Sequence, residues 1–171
     1  MSATVSTLTV HTPRSRRIVG EPFLRFQLAP DTGAILEMTA IEEVRVLSSK
    51  RLTPMPNMPT AVLGLMSHRS RIRWVVDVAQ LLGLPPLETN LQQYDLLLLK
   101  VSTISFGVVV QRIENTVWFP PAAVQIPSET TETPSPLTPF LRGCVLQDQR
   151  ILWVLNAAAI AEAVMNLPHL P

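Results

Sequence analysis

Ser67 and His68 are adjacent in the sequence, and a hydroxyl beside an imidazole is the raw material of a nucleophile and its base. The surrounding segment reads as a strand, however, and neighbours on a strand point to opposite faces, so the two groups cannot meet. Glu42 and Glu43 are adjacent carboxylates with the same directional problem. The histidines, His11, His68 and His169, have no metal-ligand spacing, and the single cysteine, Cys144, offers no second thiolate. No Gly-x-Ser-x-Gly elbow and no glycine-rich phosphate loop occurs. The expectation is a protein without catalytic residues, metal or cofactor.

The chemistry that remains is recognition. Arg69 is the strongest candidate, because a guanidinium matches carboxylates and backbone carbonyls on a partner surface. Arg71 and Arg73 share its strand parity and predict a basic strip if no turn intervenes.

Composition narrows the partners. A formal net charge of +1 and an aromatic content of 5% give neither the charge nor the stacking platforms that nucleic acid requires. The most apolar runs, at Leu96–Leu99 and Phe106–Val110, fall far short of a membrane helix, so no direct membrane insertion is expected. Met1 to Thr12 carry no apolar h-region, and one cysteine suits a reducing compartment; both point to the cytoplasm. With 47% hydrophobic residues, the chain can bury an ample core.

Sixteen prolines against six glycines argue for short strands and loops over a helical bundle, since each interior proline removes a helix hydrogen bond. Residues 1–20 read as a flexible tail with a basic cluster at Arg14, Arg16 and Arg17. Leu24, Phe26 and Leu28 alternate with Arg25 and Gln27, which predicts a strand. Pro30-Asp31-Thr32-Gly33 predicts a turn with the glycine at positive φ, and Ile35–Met38 the return strand. Ile41–Leu47 is a third strand, and Thr60–Leu63 one helical turn. Leu65–Val78 holds two strands meeting near Ser70-Arg71, after which Asp77 caps a short helix over 78–82. Strands follow at Asp95–Val101 and Ser105–Ile113, then a mobile Pro/Ser/Thr loop at 127–139. Phe140–Leu146 and Arg150–Leu155 make the last hairpin, and Asn156 caps a final helix. Nine or so strands with few helices predict an all-β fold of closed or nearly closed barrels.

In order along the chain, Ile41-x-Glu43-Val44, the proline-rich Pro54–Pro59, Leu63–Val78, Phe106–Ile113, and Leu141–Val145 with Arg150–Leu152 resemble the motifs of the CheW family. The resemblance covers residues 22–165. It implies two small SH3-like five-stranded barrels packed side by side within residues 21–166, the first running from Phe23 through Ile41 to about Leu52 plus the final strand region, the second holding much of Leu65–Ile113. It further implies a non-catalytic adaptor that couples chemoreceptors to a histidine kinase in a chemotaxis array. The implied partners are the cytoplasmic tip of a methyl-accepting receptor and the regulatory domain of a CheA-type kinase, with recruitment to membrane-associated arrays. By carry-over Arg69, Glu43, Ile41, Val44 and His68 form the receptor-binding set, while Gly64, Asp77 and Gly143 serve structure. The kinase-binding surface is not assigned. A scaffold for type IV pilus motility or phototaxis, and a small-molecule-binding β-barrel, stand as alternatives. Three departures mark a divergent branch: Ser70 replaces the family glycine, His68 the asparagine, and Trp74 the proline. If the turn at Ser70 needs a positive φ, serine carries a steric penalty there.

Overall fold

A computed structural model describes residues 20–88, 90–128 and 135–168. The expected tail, apart from Gly20, lies outside the described residues, as do residues 129–134 of the expected loop, His11 and His169. Ten strands form two sheets: β1 (Glu21–Ala29), β2 (Thr32–Glu37), β3 (Ile41–Ser48), β4 (Val62–His68), β5 (Arg71–Asp77), β6 (Gln93–Val101), β7 (Ile104–Val110), β8 (Arg112–Phe119), β9 (Leu141–Gln147) and β10 (Arg150–Leu155). Two α-helices, α1 (Val78–Leu81) and α2 (Ala157–Met165), follow β5 and β10. The first sheet runs β8-β1-β2-β10-β9 and the second β3-β6-β7-β5-β4.

Each sheet consists of an edge strand, a hairpin, a parallel pairing, and a second hairpin. β10 runs parallel to β2 in the first sheet, as β5 does to β7 in the second. Each sheet curls until its edges meet through one backbone bridge, Gln125 to Cys144 in the first and Thr53 to Leu65 in the second. In both cases a 3-10 turn after the edge strand delivers the bridging residue. The chain starts the first barrel, builds the whole second barrel, and returns to finish the first. These are the two SH3-like five-stranded barrels, side by side.

The equivalence extends to the residues. Gly64–Ala79 aligns without a gap on Gly143–Ala158, and six positions coincide, including Arg71 with Arg150 and Trp74 with Trp153. Asp77 and Asn156 then correspond, and each accepts a hydrogen bond from the third residue of the helix that follows.

Three apolar cores result. Phe23, Ile35, Leu152 and Val154 fill the first barrel, and Leu47, Met66, Val75, Leu96 and Leu98 fill the second. Between the barrels pack Leu24, Phe26, Leu36, Leu97, Leu99, Val108 and Leu155, together with α2 residues Ile160 and Val164. β6 therefore buries both faces, which accounts for its unbroken leucine run.

Four local expectations need correction. The strand at Ile41–Ser48 belongs to the second barrel, where it pairs with β6, and not to the first. The run Ser105–Ile113 is two strands. At Gln111 the chain leaves the second sheet and its N–H donates to Gln27 O of the first, and the Ile113 N–H is held by Asp95 Oδ2 at 2.8 Å. The first turn is tighter than expected, with Ala29 paired to Thr32, so Gly33 sits within β2. Thr60–Leu63 is no helical turn; it leads directly into β4, with the Asp77 N–H bonded to Ala61 O.

Candidate functional site

Edge strand β3 carries the site, and a bulge decides which of its residues faces where. Ile41 pairs with Leu99 and Glu43 with Leu98, so Glu42 is an extra residue in the ladder. Ile41 consequently faces outward with Val44 and Val46, while Glu43, Arg45 and Leu47 face the barrel interior. Ile41 packs against the rim of the inter-barrel core. Val44 and Val46 extend that apolar face into solvent, 41% and 58% exposed. β3 thus presents an apolar strip beside the seam between the barrels.

The inner face of the same strand enters a charged mouth at one end of the second barrel. His68 is 6% exposed, with Nδ1 2.5 Å from an Arg45 guanidinium nitrogen and Nε2 2.9 Å from Glu43 Oε2. Arginine only donates, so Nδ1 accepts and the imidazole proton resides on Nε2, facing the carboxylate. Arg69 approaches the same Glu43 oxygen at 3.3 Å, whereas Arg45 stands 3.7 Å from the other. Arg73, only 7% exposed, reaches Glu42 at 3.5 Å, and Ser105 Oγ donates to Glu42 at 3.0 Å. The Ser105 hydrogen bond, aided by the nearby cations, holds the Glu42 carboxyl below its ordinary range against the effect of burial. Glu43 Oε2, His68 Nε2, and the Nε atoms of Arg45 and Arg73 are buried yet have no aligned hydrogen bond. A cluster of this charge without full satisfaction is costly unless it serves something.

The β4–β5 turn caps the mouth. Arg69 and Ser70 both sit in the left-handed region, at φ 48° and 61°, the geometry of a two-residue hairpin of the primed type. This holds the Arg69 side chain 72% exposed above Glu43, beside exposed Arg71 and Ile72. The turn lies at Arg69-Ser70, one residue earlier than expected. With Arg73 buried in the mouth, Arg69, Arg71 and Arg73 do not form a solvated basic strip.

Of the residues singled out from sequence, Glu43, His68 and Arg69 meet in the mouth, while Ile41 and Val44 lie on the opposite face of β3. The other three lie elsewhere. Asp77 is buried and accepts from the Gln80 and Leu87 N–H groups at 3.3 and 2.9 Å, and burial pushes its carboxyl above the ordinary range. Gly64 and Gly143 stand at the barrel closures. Sequence reasoning missed Arg45, Ser105 and Val46, weighed Glu42 only as a carboxylate beside Glu43, and placed Arg73 on a basic strip. Alternation along β3 contains Arg45 and Val46, but the bulge that assigns their faces has no sequence mark.

Among the described residues no group of His, Cys, Asp and Glu could hold a metal, and no helix is long and apolar enough to cross a membrane. The sequence matches the profile of the CheW-like domain over residues 22–165. The chain belongs to the CheW-like domain family. This CheW-like chain also shares its fold with the scaffolding protein TtCheW from Thermoanaerobacter tengcongensis, whose crystal structure superposes with a TM-score of 0.68 at 17% identity, over 81% of this chain and 90% of that one. No curated protein matches its sequence. The family is one of chemotaxis scaffold and coupling proteins, and the β-rich double barrel is its fold.

Proposed function

We propose that this chain is a non-catalytic adaptor that couples the cytoplasmic hairpin tip of a methyl-accepting receptor to the regulatory domain of a CheA-type histidine kinase. It works in the cytoplasm, recruited to membrane-associated receptor arrays. The observation that carries this reading is the contrast between the two barrels. Where the second barrel holds Arg45 and Arg73, the equivalent positions of the first hold buried Val117 and Leu152. The fold closes well with apolar residues there. The mouth of the first barrel holds Arg25, Glu114 and Gln147, so what the second adds is the buried pair Arg45 and Arg73, and additions kept at a cost in stability belong to recognition.

A receptor tip is a helical hairpin, which offers an apolar stripe flanked by polar side chains. The strip Ile41, Val44 and Val46 suits the stripe, and Arg69 at the rim suits a carboxylate or a terminal helix carbonyl. A guanidinium whose tether already rests on Glu43 loses little freedom on docking. The test is co-purification of the full chain with a receptor hairpin fragment and with a CheA-type regulatory domain from the same cell. Retention of both in one complex supports the adaptor reading, and failure to retain either at micromolar concentration overturns it.

A further inference from the structure

The order of contacts in the mouth gives His68 a task of its own. Arg45 and Glu43 are both on the inner face of β3, two residues apart, and their loose ion pair would close up if nothing stood between them. Instead the Arg45 guanidinium lies 2.5 Å from His68 Nδ1 and 3.7 Å from the nearer Glu43 oxygen. The other Glu43 oxygen is shared by His68 Nε2 and Arg69. The geometry points to His68 as a positioning residue: by occupying Arg45, it keeps Glu43 free to hold Arg69 in the docking pose. The group so presented is fitted to a carboxylate on the partner.

Three facts support this. The imidazole is buried, with Nδ1 against Arg45 and Nε2 2.9 Å from Glu43 but not aligned for a hydrogen bond, so it is a spacer and not a mobile surface group. The Arg69 backbone is held in the left-handed region, which strains a non-glycine residue, and its side chain is directed at Glu43. In the first barrel the equivalent of His68 is Gln147, whose Oε1 accepts from Arg25 at 3.0 Å, so an amide at this position can accept from an arginine. Glutamine reproduces both roles of the neutral imidazole, accepting from Arg45 and donating to Glu43. Leucine reproduces neither.

The inference rests on the docking role given to Arg69 above, so the two are measured separately. In the free, full-length, 15N-labelled protein, the Arg69 guanidinium signals, assigned with Arg69→Lys, report its hold on Glu43. The expected result is slow exchange with solvent in the wild type and in His68→Gln, and loss of that protection in His68→Leu, where Arg45 collapses onto Glu43. Adding Arg45→Val, which copies Val117 of the first barrel, restores protection in His68→Leu/Arg45→Val. His68→Leu also weakens binding of a receptor hairpin fragment by tenfold or more, and the double variant recovers it. Protection retained in His68→Leu, or not regained in the double variant, overturns the positioning role. Should His68→Leu not fold, Arg45→Val alone decides: protection kept supports the inference, and protection lost overturns it. If protection follows this pattern while no variant, Arg69→Glu included, alters fragment binding, His68 positions Arg69 and the docking role of Arg69 is wrong.

Discussion

Gly64 and Gly143 occupy the same place in the two barrels, each pressed against the carbonyl that closes its sheet. A Cβ built on Gly64 would lie 2.4 Å from Thr53 O, and one on Gly143 2.5 Å from Gln125 O. Gly64 also sits at φ +145°, a conformation that costs a residue with a side chain about 1–3 kcal/mol. Gly64→Ala therefore lowers unfolding stability by at least that amount and opens the Thr53–Leu65 bridge. Gly143→Ala acts through steric clash alone, with the Gln125 carbonyl and Val124 Cγ1. Urea unfolding, with amide exchange at Leu65 and Cys144, measures both effects. Wild-type midpoints would refute this account of barrel closure.

The β4–β5 turn makes the opposite prediction. Ser70 adopts φ 61° without the side-chain freedom of glycine, so Ser70→Gly relieves strain of about 1 kcal/mol. Added backbone entropy in the unfolded chain offsets part of that gain. A rise in the thermal midpoint with unchanged chemical shifts in β3 is the expected outcome. A fall would mean that the serine hydroxyl contributes more than the strain removes.

Much of the fold was legible because burial imposes period-two alternation on β1 and β3, and burial of both faces imposes the leucine run of β6. The alternation on β1 and the turn residues before β10 marked their elements directly. The allocation of strands to barrels was not legible. β3 and β8 are edge strands that close barrels formed from distant hairpins, and local pattern does not say which hairpin a strand joins. The repeat relating Gly64–Ala79 to Gly143–Ala158 lies in the sequence, but the chain enters the first barrel part-way through the unit, which hides the remainder. In the site, Glu43 and Arg69 were approached through family likeness. Arg45 was not singled out and Arg73 was placed on a basic strip, because nothing local marks a cation that points into a barrel.

Glu114, on β8, supplies a pH prediction. The Gln27 side chain donates to it at 2.9 Å, and Arg112 and Arg25 lie beside it, so its carboxyl is held below the ordinary glutamate value of 4.5. The folded state then binds its proton later than the unfolded chain does. The stability Glu114 contributes is full above about pH 4.5 and is lost as pH falls through the depressed folded value. Glu114→Gln should flatten the acid limb of the stability curve and leave its slope near neutrality unchanged. An acid limb as steep as wild type would exclude Glu114 as a contributor.

The outer strip of β3 separates recognition from stability. Val46 is more solvated than Val44, at 58% exposed, and its replacement by aspartate buries no charge, so stability should change by about 0.5 kcal/mol or less. If the strip receives the apolar stripe of a receptor hairpin, the same substitution should abolish binding, since docking would desolvate a carboxylate against apolar surface. Isothermal titration with the receptor fragment, alongside urea unfolding, reads both quantities. Unaltered affinity in Val46→Asp would remove the strip from the interface.

Arg69→Glu tests the rim of the same surface from the other side of the strand. The substitution replaces the ion pair with Glu43, now 3.3 Å, by two like charges on one rim, where an attraction becomes a repulsion. Because the Arg69 side chain is mostly solvated, the new charge swings outward and the fold survives; far-UV circular dichroism should be unchanged. A partner carboxylate then meets like charge at the mouth, and receptor pull-down should fail. Arg71→Glu provides the comparison, since Arg71 shares the rim and the exposure but makes no ion pair with Glu43 among the described residues. Equal loss in both variants would mean that the interface reads net charge. Loss confined to Arg69→Glu would mean that it reads one guanidinium, held in place by Glu43.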